Sequence, residues 1–90
     1  MLNRKQATFA LDSFDHTRDR GGVSVECHFL DVKDKTARYE YIVSISIDVE
    51  LVEFLYTVKS FDTLGNNPTN TFISVNSRTQ FEAYISSLPE

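Results

Sequence analysis

Cysteine, proline and glycine are scarce in this chain of 90 residues, which contains one, two and three of them. The single Cys27 cannot form an internal disulfide, which is typical of proteins from reducing compartments. The first six residues lack the apolar run of a signal peptide, and no stretch is long and apolar enough to span a membrane. We therefore expect a cytoplasmic protein without membrane contacts.

The chain also lacks the short motifs that carry chemistry. It has no Gly-rich phosphate loop, no paired-cysteine metal spacing and no His-Glu-x-x-His sequence. Cys27 and His28 are adjacent, but neighbouring residues of a strand point to opposite faces, so we predict Cys27 to be a core residue rather than a nucleophile. We expect no catalytic residue and no cofactor.

The sequence contains one cluster of residues that could bind a metal ion. The carboxylates and imidazole of Asp12, Asp15, His16 and Asp19 lie within eight residues. Since Arg18 and Arg20 lie among them, a solvated loop with internal ion pairs is the favoured interpretation, and we predict no metal site.

Basic residues are rare in the second half of the chain. The net charge is -4, and residues 1–47 contain seven basic and seven acidic residues, so the whole excess belongs to residues 48–90. Lys59 and Arg78 are the only basic residues there. Such a surface disfavours direct nucleic-acid binding and favours a basic protein partner.

Glycine, proline and asparagine are absent from residues 37–61, a stretch of twenty-five residues. Its first half alternates apolar and polar residues and predicts a strand with one wet face. A single strand of that length would span about 80 Å, so a change of structure is expected, and we place it at Asp48. From Val49 to Phe61 the apolar residues fill one side of a helical projection, with Asp48 as the N-cap.

A rival interpretation keeps residues 51–61 as a strand, because Val52, Phe54, Tyr56 and Val58 also alternate. We favour the helix, since a hairpin at Asp48 would lack the usual turn residues.

Further elements follow from shorter patterns. Strands are predicted at residues 8–14, 23–29 and 71–75, a charged loop at residues 15–22, and an end of the first helix at residues 64–68. Ser77 and Gln80 form a capping box before a helix that ends near Leu88 and Pro89. The expected fold is α+β, a single globular domain over residues 1–90 with about four antiparallel strands and two helices on one face, in the order β-β-β-α-β-α.

The last helix resembles one in a known family. Residues 77–89, Ser-Arg-Thr-Gln-Phe-Glu-Ala-Tyr-Ile-Ser-Ser-Leu-Pro, are similar to the strand-then-helix unit of small phage anti-CRISPR proteins that inhibit type I surveillance complexes. The shared features are the Ser and Gln of the cap, the next Glu, Tyr84 and the closing Leu88-Pro89. The resemblance covers about a seventh of the chain. It implies a non-enzymatic inhibitor, acting in the host cytosol, on a protein surface that handles nucleic acid.

The leading hypothesis is therefore a small acidic interaction protein, an inhibitor or adaptor, that acts as a monomer or homodimer. The expected contacts are the loops at residues 15–22 and 31–35 and an acidic face. The residues expected to bind the partner are Asp15, Arg18, Asp19, Arg20, Glu50, Glu53 and Asp62. A ligand-binding or enzymatic domain is the second hypothesis, which a pocket holding His28 beside Glu40 would favour. The third is a structural subunit that assembles through a strand edge.

Overall fold

The structure, a computed structural model, describes residues 2–32, 38–62 and 71–90. Its elements are α1 (Arg4–Asp19), β1 (Ser24–Val32), β2 (Arg38–Asp48), β3 (Glu53–Asp62), β4 (Thr71–Val75) and α2 (Arg78–Ser87). The strands form one antiparallel sheet in the order β1-β2-β3-β4. The predicted α+β class with an antiparallel four-stranded sheet is confirmed, while the element order is α-β-β-β-β-α.

Helix α1 occupies the residues for which a strand (8–14) and most of a loop (15–22) were predicted. Asn3 caps it, because the Asn3 side chain accepts a hydrogen bond from the Gln6 amide and the Gln6 side chain accepts one from the Asn3 amide. The residues buried at helical spacing are Ala7, Ala10, Leu11 and Phe14. The strand prediction was wrong because it relied on Phe9 and Leu11 alone, and Phe9 is exposed.

Strands β1 and β2 confirm the two predicted strands, and they pair in an unbroken register from Ser24 opposite Ser46 to Val32 opposite Arg38. Cys27 lies on the predicted face, half-buried against the core. Burial raises the pKa of its thiol. Residues 33–35 of the expected contact loop, and the predicted helix end at residues 64–68, lie outside the described residues.

Strand β3 corrects the predicted helix at residues 49–61 and follows the rival interpretation. It pairs with β2 from Glu53 opposite Asp48 onward, and with β4 on its other side. Tyr56 and Val58 are buried, which requires a period of two. Helical and strand periods both fit this apolar segment, and the backbone hydrogen bonds offered by β2 and β4 stabilise the strand.

Strand β4 and helix α2 confirm the predicted C-terminal unit. The Ser77 hydroxyl accepts a hydrogen bond from the Gln80 amide at the start of α2, which is one of the two hydrogen bonds of the predicted capping box. Phe81 and Leu88 are buried, and Tyr84 and Ile85 are partly buried against the core. Neither described helix is long and apolar enough to cross a bilayer.

Both helices cover the same face of the sheet, as predicted. The buried cluster joins α1 to Tyr41, Val43 and Ile45 of β2, to β3, and to α2. Aromatic rings link β3 to α2 through contacts of 6.2 Å between Phe54 and Tyr56 and 5.0 Å between Tyr56 and Phe81. The opposite face of the sheet has no described element packed on it, so the architecture has two layers.

Candidate functional site

A hairpin without glycine, asparagine or proline connects β2 to β3. Asp48 and Glu53 form the last pair, so residues 49–52 make a four-residue loop. Asp48 Oδ1 accepts hydrogen bonds from the amides of Glu50 at 3.0 Å and Leu51 at 3.1 Å. Asp48 thus caps amides as predicted, but those of a turn rather than a helix. The Asp48 carboxylate thus stabilises a turn that lacks the glycine, asparagine or proline usually found in hairpin loops.

The backbone of Val52 is unusual. Its φ angle is +53°, in the left-handed region that β-branched side chains rarely adopt. Packing does not explain the residue, because the Val52 side chain is 68% exposed. Strained conformations of this kind concentrate at binding and switch sites.

We define the hairpin tip as residues 48–53. Three of its side chains are aliphatic and open to solvent, with exposed fractions of 65% for Val49, 66% for Leu51 and 68% for Val52. Its other three residues are Asp48, Glu50 and Glu53, all exposed. The tip therefore exposes three aliphatic side chains next to three carboxylates in the chain. Exposed apolar patches with a polar rim mark protein interaction surfaces.

The last turn of α1 lies beside this hairpin. The Arg18 guanidinium carbon lies 5.7 Å from the ring centroids of both Phe14 and Phe54, the residue that follows the tip. A short turn then leads to β1: Gly21 has a φ of +86°, and a side chain on Gly22 would collide with Thr17. The hairpin tip and residues 15–20 together form what we call the hairpin end of the molecule.

A bidentate ion pair fixes α2 to the same end. Both oxygens of Asp15 accept hydrogen bonds from Arg78 at 2.8 Å, and Arg78 Nε also bonds Glu82 at 3.0 Å. The hydrogen bond from Arg78 holds the pKa of Asp15 below its ordinary value of 3.8, and burial opposes that shift. Arg18 is a more distant partner at 3.9 Å. Asp15 is thus committed to an internal contact.

The structure brings together six of the seven residues that the sequence predicted for partner binding. Asp15, Arg18 and Asp19 lie in the last turn of α1, Arg20 is its C-cap, and Glu50 and Glu53 lie in the hairpin tip. Asp62 is the exception, because it pairs with Tyr39 at the opposite end of the sheet. The sequence prediction missed Val49, Leu51 and Val52, which it assigned to a helix. The available signal in the sequence was that these three aliphatic residues alternate with acidic residues between Asp48 and Glu53.

His28 occupies the uncovered face of the sheet, with carboxylates on both ring nitrogens. Nε2 lies 2.7 Å from Glu26 Oε1, and Nδ1 lies 3.0 Å from Glu40 Oε1. The hydrogen bond to Glu40, then that to Glu26, raises the pKa of His28 above its ordinary value of 6.5. A shallow pocket lined by His28, Phe29, Leu30, Arg38 and Glu40 surrounds the ring. This pairing, across the strands to Glu40 and along β1 to Glu26, places His28 on the solvent-exposed face, opposite to the face that holds Cys27.

A second, apolar cavity lies between α2 and the sheet. It has a volume of about 200 Å³ and contains the side chains of Tyr41, Ser60 and Tyr84 among aliphatic neighbours. Burial raises the pKa of Tyr84. Pockets for drug-sized ligands are larger, about 300 to 1,000 Å³. We interpret this cavity as a packing gap.

The described ranges contain no group of three or more histidine, cysteine, aspartate or glutamate side chains that could hold a metal ion. The predicted ligand cluster, Asp12, Asp15, His16 and Asp19, lies on α1 rather than on a loop. Its members recur at intervals of three and four residues, so they share one face of α1. On that face both oxygens of Asp15 bond Arg78, and Arg18 lies 3.9 Å from Asp15.

Comparisons with known proteins identify no relative: no family model, no curated protein and no solved structure matches this chain.

Proposed function

We propose that this chain is a non-enzymatic interaction protein that binds a basic protein surface through its hairpin end. The observation that carries the proposal is the hairpin tip, where three exposed aliphatic side chains stand among three carboxylates. Residues 39–58 contain four acidic residues and no lysine or arginine. A basic patch with an apolar depression is the complementary surface.

The two kinds of residue have separate roles in this proposal. The carboxylates of Glu50 and Glu53 attract the basic partner over distance and raise the association rate. Val49, Leu51 and Val52 enter an apolar depression and slow dissociation, as buried anchors do at interfaces. Arg18 holds the hairpin against α1 through Phe54, so the tip is presented on a fixed base.

The proposed partner is a protein complex that handles nucleic acid, because such complexes expose basic surfaces. The resemblance of residues 77–89 to phage anti-CRISPR proteins supports an inhibitor of a type I surveillance complex, acting in the host cytosol. The N-terminus of α2 contributes to the same end through the Arg78 to Asp15 contact. Occupying the basic surface would exclude nucleic acid without any turnover.

The test is association kinetics with a partner identified by pull-down from the native host. Glu50→Lys should slow association at low salt, and the difference from wild type should shrink at high salt. Glu90→Lys is the matched control, because Glu90 is exposed and pairs with Arg4 at the opposite end. Leu51→Ser should leave the association rate nearly unchanged and accelerate dissociation. Equal rates for Glu50→Lys and wild type at low salt would contradict the proposal.

Ligand binding at His28 is the second candidate, favoured by the pocket that holds His28 beside Glu40. The carboxylates of Glu26 and Glu40 are the groups that a small cation would contact, and Arg38 lines the same pocket. Acid-base catalysis is disfavoured, because the site is open to water and both ring nitrogens are engaged. The measurement is an NMR titration of His28. Addition of a small diamine should shift the His28 resonances of wild type and not those of Glu40→Gln. Identical spectra with and without the amine would remove this candidate.

A further inference from the structure

Strand β1 is one edge of the sheet, and half of its backbone polar groups point away from the protein. The Ile47 amide donates to the Val23 carbonyl at 2.8 Å, in the same register as the β1 to β2 pairing. Hydrogen-bonded pairs alternate along an antiparallel ladder, so the odd-numbered residues of β1 bond β2. The residues with outward amides and carbonyls are Ser24, Glu26, His28, Leu30 and Val32.

No described residue covers these outward groups, which form a nine-residue edge. Natural sheets protect such edges, because an open edge accepts another strand. Edge strand β4 is five residues long. Strand β1 is therefore the longer of the two edges.

Apolar side chains flank the β1 edge on both faces. On the helix side, Phe9 is 60% exposed and its ring meets Phe29 edge to face at 6.3 Å. Ser13 and Thr17 follow Phe9 on this flank of α1 at intervals of four residues, and Lys5 precedes it at the same interval. On the uncovered side, Leu30 is 51% and Val32 59% exposed. An added strand would bury apolar surface on both sides.

We propose that this edge pairs with the same edge of a second copy of the chain, giving a two-fold symmetric dimer with a continuous eight-stranded sheet. The proposed register places Phe29 opposite Phe29 of the second copy on the two-fold axis. His28 then pairs with Leu30, and Glu26 pairs with Val32, through the outward backbone groups. The two Phe9 rings flank the axis and become buried.

The charges along β1 favour this register, and they are compatible with a second copy of the chain as the added strand. In the proposed register each titratable side chain of β1 faces an uncharged one, since Glu26 faces Val32, His28 faces Leu30 and Asp31 faces Cys27. A register shifted to place His28 opposite His28 would oppose two imidazoles that their carboxylates favour in the charged form. The edge can pair with its own copy without opposing like charges, so no oppositely charged partner strand is required.

Sedimentation equilibrium of the full chain tests the proposal. The expected result is a reversible dimer with twice the 10.3 kDa chain mass. Phe9→Lys, a change on the exposed surface of α1, should raise the dimer dissociation constant about tenfold or more. The control is Leu51→Lys, an equally exposed aliphatic at the hairpin tip, which should leave the dissociation constant unchanged. A monomer at all concentrations, or equal effects of the two variants, would overturn the proposal.

Amide hydrogen exchange gives a second measurement that does not depend on a variant. The outward amides of Glu26, His28 and Leu30 should exchange quickly in dilute protein and slowly at high concentration. The inward amides of Cys27 and Phe29 should be protected at both concentrations, because they bond β2. Outward amides whose exchange is independent of concentration would exclude edge pairing. Neither measurement involves the partner proposed for the hairpin end, so the two proposals can fail separately.

Discussion

At the scale of single residues, two side chains determine the hairpin tip. Asp48 closes the turn by accepting two backbone hydrogen bonds, and Val52 adopts a left-handed backbone that its branched side chain opposes. Neither feature is needed to bury surface, since the tip is exposed. Short hairpin loops commonly contain a left-handed residue, so we infer that Val52 takes this conformation to close the turn at a cost in stability.

Replacing Val52 with glycine should therefore stabilise the protein while weakening partner binding. Glycine adopts positive φ freely, and the relief of strain should outweigh its larger unfolded-state entropy by about 0.5 to 1 kcal/mol. Urea denaturation measures the free energy of unfolding. Val49→Gly, at a similarly exposed tip position for which no positive φ is recorded, should lose stability instead. A loss of similar size in both variants would show that Val52 is not strained.

At the scale of elements, the Asp15 to Arg78 pair connects the end of α1 to the start of α2. The two residues are 63 positions apart, so the contact restrains two elements that the sheet alone would not align. The pKa of Asp15 is depressed in the folded protein. A carboxyl with a depressed folded pKa stabilises the fold above its unfolded pKa, and this contribution is lost as the pH falls through the folded value.

The stability difference between wild type and Asp15→Asn should accordingly depend on pH. It should be largest at neutral pH and should shrink as the pH falls below the ordinary value of 3.8. Denaturant titrations between neutral and acidic pH measure it. Asp12→Asn, which removes an exposed carboxylate from the same helix without touching Arg78, is the matched control. A difference that stays constant with pH would mean that the ion pair contributes nothing to stability.

At the scale of the whole molecule, one buried cluster joins both helices to the two central strands. Ile45 and Val43 lie at its centre with no exposed surface. Their place on the apolar face of β2 was predicted from alternation and is confirmed. The uncovered face instead carries Glu26, His28 and Glu40 with scattered aliphatic residues, and it contributes little burial.

Ile45→Ala should lower the free energy of unfolding by about 2 to 5 kcal/mol, because it opens a cavity that surrounding residues fill only partly. Ile42→Ala is the matched control on the uncovered face of the same strand, where the loss should be smaller. Thermal and urea unfolding measure both variants. Equal losses would show that the uncovered face is packed as tightly as the covered one.

Local sequence was enough to predict those helices and strands whose residue pattern fits only one kind of secondary structure. The alternation of β1 and β2, the β-branched run of β4 and the Ser77 cap of α2 each need only neighbouring residues, and all are confirmed. The capping box of Asn3 and Gln6 was equally local, and it identifies α1 better than the alternation of Phe9 and Leu11 did.

Tertiary structure decided what local patterns left open. Residues 53–62 fit a helix and a strand about equally, and the backbone partners offered by β2 and β4 made them a strand. Because these residues form a strand, Asp48 caps a turn instead of the predicted helix, and Val49, Leu51 and Val52 are exposed to solvent. Pairing across a sheet depends on residues distant in the chain. The exposed aliphatic residues of the hairpin tip and the unpaired edge of β1 therefore could not be predicted from the sequence of either segment alone.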